Sequence, residues 1–310
     1  MKAATQQERI CNAFSVDVED YFHVSAYNRV IARRDWDSFP SRVEANTRAM
    51  MDVLAEADVK ATFFVLGWVA ERFRGLVSEI AAQGHEIACH GYSHKLIYRQ
   101  SRKQFTDEAH RAKTLLEDIS GAAVNGYRGA SFSITSESLW ALEALAELGF
   151  TFDSSIFPIR HDRYGIPGAP TRPFTFRCES GAVINEFPMT TVDILGWRMP
   201  VSGGGYFRIY LYAVTRAALR HLNQRKSEPF VFYTHPWEID PEQPFINASW
   251  LSNFRHRTNL HRCRDRLARL LKEFRFSTIS DVLQGLDLKT ISASDDSLAP
   301  DTAARLEAQA

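Results

Sequence analysis

Short apolar runs alternate along this chain with longer segments whose apolar residues recur at helical spacing. The first run, residues 14–18, leads into three carboxylates, Asp17, Glu19 and Asp20. A buried strand accepts carboxylates only at its end, where they can be paired, hydrogen-bonded or bound to a metal. The same pattern predicts further strands at 60–66, 85–90, 123–127, 150–153, 229–234 and 276–279.

Helix signals separate these predicted strands. Ser41 with Glu44, and Ser101 with Gln104, have the spacing of a capping box, and the second helix would end at Gly121. The apolar spacing predicts helices after Ser41 and at 76–82, 101–121, 136–148, 206–222 and 257–273. Strand, helix and strand in succession predict parallel crossovers. The expected fold is therefore α/β, either a (β/α) barrel or a doubly wound sheet.

Two regions depart from this alternation. Between residues 158 and 200, Pro and Gly are frequent, and 175–177 and 182–184 have the pattern of short hairpin strands. We interpret this region as an inserted loop and hairpin rather than a separate domain. Beyond Leu286 the composition turns to Ser, Asp, Ala and Gln, which predicts a disordered tail at 287–310.

Composition narrows the class of protein. The chain has 310 residues, of which 45% are hydrophobic, and its 37 basic residues balance 37 acidic ones. A net charge of zero argues against nucleic acid as a partner. The first residues lack the apolar core of a secretory signal, and the longest apolar run, 61–70, is too short for a transmembrane segment, so we expect a cytoplasmic protein. The four Cys are dispersed, which predicts free thiols.

Polar residues that could take part in catalysis or binding lie at the ends of five of the predicted strands. They are Asp17 and Glu19, His90, Arg128, Asp153 and His235. In parallel α/β folds the carboxyl ends of the strands meet at one edge of the sheet, and that edge holds the active site. The sequence therefore predicts one site that gathers all of these side chains.

A metal is expected in that site. His90 and His94 are four residues apart, which places both imidazoles on one side of a turn. With one carboxylate from the first strand they would form a three-ligand set with open positions, suited to Zn and also to Co, Fe, Ni or Mn. Such a metal lowers the pKa of a bound water and polarises a carbonyl, while the remaining acids move protons.

The same motifs, in the same order, resemble those of a known family. They are Ser15 to Asp20, His90 to His94, Gly126 to Phe132, Phe152 to Ser155 and Thr234 to Trp237. They are similar to the five motifs of the polysaccharide deacetylases, carbohydrate esterase family 4 with its NodB-homology domain. The likeness is closest to the branch associated with exosortase-linked exopolysaccharide synthesis, and it runs over residues 12–286, with 1–11 as an N-terminal tail.

The resemblance implies a distorted (β/α) barrel with a C-terminal extension, and it implies roles for individual residues. Asp17 would be the base, Arg128 would orient it, and His235 would be the acid, with Asp153 in the fourth motif. His90 and His94 would bind the metal. Backbone N–H groups at Ala130 and Ser131 would bind the oxyanion.

One motif departs from the commoner family pattern, in which two adjacent Asp supply the base and the metal ligand. Here the ligand is open between Glu19 and Asp20. Residues two apart on a strand share a face, so Glu19 would point with Asp17, and Asp20 would replace it if the chain has already turned. Among the aromatic residues of the loops, Tyr21 and Trp237 are candidates for stacking on sugar rings.

The resulting hypothesis is a metal-dependent hydrolase that removes N-acetyl groups from amino sugars in bacterial exopolysaccharide synthesis. Its partners would be an N-acetylated glycan and, peripherally, a polysaccharide synthesis complex at the inner face of the membrane. Two alternatives stay open: a metal-poor hydrolase of ring amides such as allantoin or cyclic imides, with the same fold, and a glycan-binding scaffold without turnover.

Overall fold

A mostly parallel sheet forms the centre of the computed structural model, which describes residues 10–161, 163–194 and 196–299. These residues form ten α-helices and twelve strands, besides short 3₁₀ and π turns. The strands are β1 Cys11–Val18, β2 Thr62–Val65, β3 Glu86–Cys89, β4 Gly126–Tyr127, β5 Phe152–Asp153, β6 Phe174–Arg177, β7 Val183–Glu186, β8 Thr191–Ile194, β9 Trp197–Pro200, β10 Val231–Thr234, β11 Arg275–Ser277 and β12 Lys289–Ser292. The helices are α1 Val43–Ala55, α2 Gly67–Arg72, α3 Arg74–Ala82, α4 Arg102–Ser120, α5 Trp140–Glu147, α6 Gly204–Ile209, α7 Tyr212–His221, α8 Trp250–Arg257, α9 Leu260–Glu273 and α10 Ile279–Gln284.

Strand order confirms the α/β prediction. The sheet runs β10-β1-β2-β3-β4-β5-β7-β6-β12, with β11 also paired to β1. All of these pairs are parallel except β6 with β7. Among the described residues no ladder joins β10 to β12, so backbone hydrogen bonds do not close the sheet into a barrel.

Both faces of the sheet are buried, as expected for parallel strands. Alternate side chains of the central strands, such as Phe14 and Val16, pack against the helices. The residues that alternate with them along the strands, including Ala13, Phe64 and Ala88, point to the other face of the sheet. There they pack with one another and with α10. Apolar side chains therefore cover both faces of the sheet below the carboxyl ends of the strands.

Helix boundaries differ from the predictions in two places. The helix expected at 206–222 is divided between α6 and α7 by extended backbone at Tyr210 and Leu211. The helix expected at 257–273 begins only at Leu260, as α9, because Asn259 has a left-handed conformation, with φ of 55°, and α8, which ends at Arg257, was not predicted. The capping box of Ser101 and Gln104 is present at the start of α4, as predicted.

The hairpin region and the tail are part of the same sheet. Strands β6 and β7 form the expected antiparallel pair, but β7 also pairs with β5 and so extends the main sheet. Disorder was predicted from residue 287, whereas β12 pairs with β6 and Leu298 is buried. The prediction of disorder was wrong for 287–299 because the contacts that order this segment come from residues more than 100 positions earlier. Residues 300–310 lie outside the described part of the chain. No helix among the described residues is long and apolar enough to span a bilayer.

The buried position of Leu298 gives a test of the ordered C-terminal segment. Leu298→Ala should lower the free energy of unfolding by about 2–4 kcal/mol, since a buried Leu loses both its transfer energy and its packing. Leu211, which is 73% exposed, provides the control, and Leu211→Ala should change stability by less than about 0.5 kcal/mol. Equal stability of both variants in denaturant titrations would show that residues 287–299 are not packed on the domain.

Candidate active site

Side chains from both halves of the chain meet at the carboxyl ends of four of the five neighbouring strands β10, β1, β2, β3 and β4. Glu19 follows β1, His90 follows β3, Arg128 follows β4 and His235 follows β10. Each is buried or nearly so, and electrostatic interactions link them. The structure therefore brings together the residues that the sequence placed at separate strand ends.

Three of these side chains form a candidate metal centre. Ligand atoms of Glu19, His90 and His94 all lie within 4.8 Å of one another, and all three side chains are buried. His94 Nε2 is 2.9 Å from Glu19 Oε2. His94 itself has a left-handed backbone, with φ of 50°, which turns its imidazole back towards the strand ends.

The chemistry of this donor set fits a divalent transition metal. His90 Nδ1 lies 2.8 Å from the Arg128 carbonyl, so it must carry the proton and leave Nε2 free as a donor atom. Glu19 Oε2 is buried and, among the described residues, has no hydrogen-bond partner of acceptable geometry. Two imidazoles and one carboxylate are ligands that Zn²⁺ and related metals accept. His94 Nδ1 also lacks a partner there, and His94 and Gln100 both line a cavity of about 10 Å³, about the volume that one water molecule needs.

The charge states also suit a metal. Burial raises the pKa of Glu19, but the neighbouring His94, His235 and His90 outweigh burial and hold that pKa well below its ordinary range. Burial lowers the pKa of His90 to about 4, with Asp17 opposing the shift. At neutral pH the site thus presents an ionised carboxylate and a neutral imidazole, the forms that bind metals.

Asp20 does not belong to this centre, which corrects its place as the reserve ligand. Its Oδ2 accepts hydrogen bonds from Ser41 Oγ at 2.7 Å and from the N–H groups of Arg42 and Val43 at 2.8 and 3.1 Å. The Asp20 carboxylate therefore accepts hydrogen bonds from the N–H groups at the start of α1, although Asp20 itself lies outside that helix. For the same reason Ser41 does not form the predicted capping box, because its hydroxyl is directed to Asp20 instead.

Arg128 holds Asp17 in place from inside the sheet. Its guanidinium donates to Asp17 Oδ1 at 2.7 Å, to Ser15 Oγ at 2.8 Å, and to the carbonyl and hydroxyl of Ser154 at 3.0 and 2.9 Å. The group is fully buried and stacks over the Phe64 ring at 4.1 Å. The second oxygen of Asp17 is left facing the site.

His235 faces both carboxylates. Its Nε2 is 4.0 Å from Asp17 Oδ2 and 3.6 Å from Glu19 Oε1, while Nδ1 is 2.7 Å from Glu238 Oε1. Burial lowers the pKa of His235, but Glu238, Glu19 and Asp17 together outweigh it and raise the pKa to about 9. The imidazole is therefore protonated at neutral pH.

The sequence analysis missed the carboxylate and the guanidinium behind His235. Glu238 also accepts a hydrogen bond from Arg208 Nε at 2.6 Å, and both side chains are almost fully buried. Burial raises the pKa of Glu238, but Arg208 and His235 overcome it and lower the pKa to about 2. Glu238 could have been found, since it stands three residues after His235 in a turn that starts with Pro. No local pattern points to Arg208, which is 30 residues earlier.

Asp153 lies one layer behind the site. It accepts hydrogen bonds from the N–H and hydroxyl of Ser155, both at 2.8 Å, and the Ser155 hydroxyl in turn accepts from the Gly129 N–H at 2.7 Å. Burial and the charge of Asp153 raise the pKa of Glu186 well above its ordinary range, so the neutral form of Glu186 is favoured beside Asp153. Asp153 thus supports the backbone that follows Arg128 rather than facing the metal ligands.

Tyr21 and Trp237, the two aromatic residues expected to stack on sugar rings, are both packed inside the protein. Tyr21 is fully buried and its hydroxyl donates to the Pro40 carbonyl. Trp237 is only 4% exposed and stacks on both His235 and His256, with ring centroids 5.0 and 4.2 Å apart. These contacts correct the prediction that either ring is open to sugars.

The segment after Arg128 has unusual backbone geometry. Ser131 and Phe132 both have positive φ, of 52° and 56°, although neither is Gly. The Ser131 hydroxyl lies 2.6 Å from that of Ser25, and Ala130 is buried. Strained backbone of this kind is common at functional sites.

Comparison with known proteins agrees with this geometry. Residues 35–152 match the family model described as polysaccharide deacetylase, and residues 154–284 match a domain of unknown function, DUF3473. The chain is 31% identical over 129 residues to a peptidoglycan-N-acetylglucosamine deacetylase of Bacillus cereus, which is 41% of this chain and 46% of that protein. It is 29% identical to a chitooligosaccharide deacetylase of Bradyrhizobium over 33% of this chain and 47% of that protein. The chain therefore spans about half the length of these curated relatives.

A solved structure shares the fold over nearly the whole length. A crystal structure of a candidate polysaccharide deacetylase from Mycobacterium smegmatis covers 93% of this chain and 96% of its own, with a TM-score of 0.63 and 18% sequence identity. At this identity the likeness shows the fold alone. Asp17 and Glu19 precede the first matched region, and His235 lies in the second.

Measurements of metal binding should distinguish the roles of the adjacent residues Glu19 and Asp20. Glu19→Gln should weaken Zn²⁺ binding by about a hundredfold or more, because it removes one of three ligands. Asp20→Asn should bind Zn²⁺ like the wild type and instead lose about 1 kcal/mol of stability, because it weakens the cap of α1. Isothermal titration calorimetry and thermal unfolding measure both effects. Loss of the metal in Asp20→Asn with retention in Glu19→Gln would reverse the assignment.

The raised pKa of His235 predicts a pH dependence of stability in the metal-free protein. The folded state holds this proton more tightly than the unfolded chain, so the stabilisation is complete below the ordinary pKa of 6.5 and is lost as the pH rises to about 9. His235→Gln should flatten this decline, whereas His221→Gln, at an exposed position on α7, should keep it. The measurement is urea unfolding between these pH values; an unchanged slope in His235→Gln would contradict the assignment.

Proposed function

The chain belongs to the polysaccharide deacetylase family, and we propose that it is a metal-dependent hydrolase that removes N-acetyl groups from amino sugars of a polysaccharide or of its precursor. The observation that carries the proposal is the meeting of Asp17, the metal group of Glu19, His90 and His94, and protonated His235 within one buried site. Together these groups supply a base, an electrophile and an acid, the functions that assist hydrolysis of an unactivated amide.

Glu19, His90 and His94 would hold the metal, which when bound polarises the amide carbonyl and lowers the pKa of water. Asp17 Oδ2, the oxygen that does not contact Arg128, is placed to take a proton from the attacking water. The charge-assisted hydrogen bond from Arg128 fixes the direction of the Asp17 carboxylate. The base is thereby oriented before substrate binds.

His235 is placed to act as the acid. Its Nε2 carries a proton at neutral pH and points towards Asp17 and Glu19, where the amide would lie. Donation of this proton to the amide nitrogen, as the C–N bond breaks, releases the free amine of the sugar and acetate. Glu238, held by Arg208, keeps Nδ1 protonated and so keeps Nε2 as the group that gives up and regains the proton.

The backbone after Arg128 is the candidate oxyanion site. Ala130 and Ser131 follow Gly129, the residue after Arg128, and the backbone of Ser131 and Phe132 is left-handed. Hydrogen bonds to an oxyanion are typically worth about 3 kcal/mol per donor in the transition state. Asp153 and Ser155 would maintain this turn through the Gly129 N–H.

The second matched region supports an exopolysaccharide, or its precursor, as the substrate class. DUF3473 is typical of deacetylases associated with exopolysaccharides, and in this chain the region contributes His235, Glu238 and Arg208 to the site. A peripheral association with a polysaccharide synthesis complex would follow from that role. Zn²⁺ is the metal that we propose, with Co, Fe, Ni or Mn as substitutes.

Acetate release from N-acetylated sugar oligomers tests the function. The Zn²⁺-loaded full chain should release acetate and expose free amines, and Asp17→Asn should lower kcat by about 10²- to 10⁴-fold while still binding Zn²⁺, because Asp17 is not a ligand. Thermal unfolding of the variant controls for loss of the buried pair with Arg128. Failure of the loaded wild type on acetylated amino sugars, or turnover of cyclic amides instead, would refute the proposal.

A further inference from the structure

Exposed apolar side chains are concentrated on α8 and the loop before it. Phe245, Trp250, Leu251 and Phe254 are 68%, 77%, 48% and 49% exposed, and we call these four residues the α8 patch. Seven of the eleven large apolar side chains that are exposed among the described residues lie within 209–214 and 245–254. A concentration of this kind on one face marks an interaction surface, whereas single exposed apolar residues do not.

The three members of the α8 patch that lie on the helix form a continuous face. Trp250, Leu251, Phe254 and Arg255 are adjacent on the exposed side of the helix, and the rings of Trp250 and Phe254 stack with centroids 5.4 Å apart. α6 packs against α8, and three more exposed apolar residues follow near the end of α6. They are Ile209, Leu211 and Val214.

The segment of the chain that carries the patch is basic. Residues 243–264 contain four Arg and no Asp or Glu. Over 204–275 the chain has 13 basic and 6 acidic residues, an excess of seven positive charges in a protein whose total is zero. Arg255 lies on the patch itself, and the Arg257 guanidinium is 5.9 Å from the Phe245 ring. An anionic partner would therefore be attracted to this face.

The buried side of α8 leads to the candidate active site. Asn253 accepts a hydrogen bond from the Tyr27 hydroxyl at 2.9 Å, and His256 stacks on Trp237 at 4.2 Å. Trp237 in turn stacks on His235 at 5.0 Å. Only α8 itself and the indole ring of Trp237 thus lie between the α8 patch and His235, the proposed acid.

We propose that the α8 patch docks the protein on the surface of an anionic lipid bilayer. Trp and Phe with Leu on one face, beside Arg and without carboxylates, is the composition of segments that lie in a membrane interface. Leu251 and the aliphatic residues near α6 gain from contact with acyl chains, whereas sugar hydroxyls would offer them nothing. Resting on the proposed function, this docking makes an acetylated glycan carried at the membrane surface the substrate class.

Vesicle sedimentation with the full chain tests the docking. The protein should bind vesicles of mixed phosphatidylcholine and phosphatidylglycerol, should bind phosphatidylcholine alone much less, and should be released by added salt. Trp250→Ser should weaken binding to the mixed vesicles by about tenfold, because one interfacial anchor is lost. The matched control is Trp197→Ser on β9, which removes a Trp that is 80% exposed outside the basic region and should bind like the wild type.

Several results would overturn the docking without touching the proposed function, since the vesicle assay requires no substrate and no turnover. Equal binding by Trp250→Ser and Trp197→Ser, or no preference for anionic vesicles, would do so. Weaker binding of a soluble chitooligosaccharide by Trp250→Ser, without vesicle binding by the wild type, would make the patch a glycan subsite. A dimer in sedimentation velocity that Trp250→Ser dissociates would make it an interface between copies of this chain.

Discussion

A full positive charge inside the sheet is the constraint on which the site depends. Arg128 is completely buried, and a guanidinium cannot be neutralised by losing its proton, so its N–H groups need acceptors close by. Asp17 and Ser15 from β1, and Ser154 after β5, supply them. These contacts tie together the ends of three strands that are far apart in sequence. They also leave one oxygen of Asp17 turned towards the metal ligands.

Charges of alternating sign extend outward from Arg128. Asp17 neutralises Arg128, and protonated His235 lies between Asp17, Glu19 and Glu238. Arg208, another buried guanidinium, completes the series behind Glu238. In this arrangement each buried charge is compensated by a neighbour, which is the condition under which burial of charge is tolerated.

The site is shared between the two matched regions of the chain. His90, His94 and Arg128 belong to the polysaccharide deacetylase region, whereas His235 belongs to the region matched by a domain of unknown function. Pairing of β10 with β1 brings the second region to the N-terminal strand, which precedes the first region and leads to Asp17 and Glu19. Neither region holds the whole arrangement, so the second region contributes His235 to the candidate site and also the exposed face of α8.

The sequence by itself determined the class of fold and the residues at the strand ends, because periodicity and spacing are local properties. Glu19, just after β1, lies in the site with Asp17, whereas Asp20 is directed to the start of α1. Tertiary structure alone decided which polar groups pair and which aromatics are covered. Arg208 meets Glu238 across 30 residues, and β12 is ordered by pairing with β6, because burial depends on contacts with distant parts of the chain that no local pattern encodes.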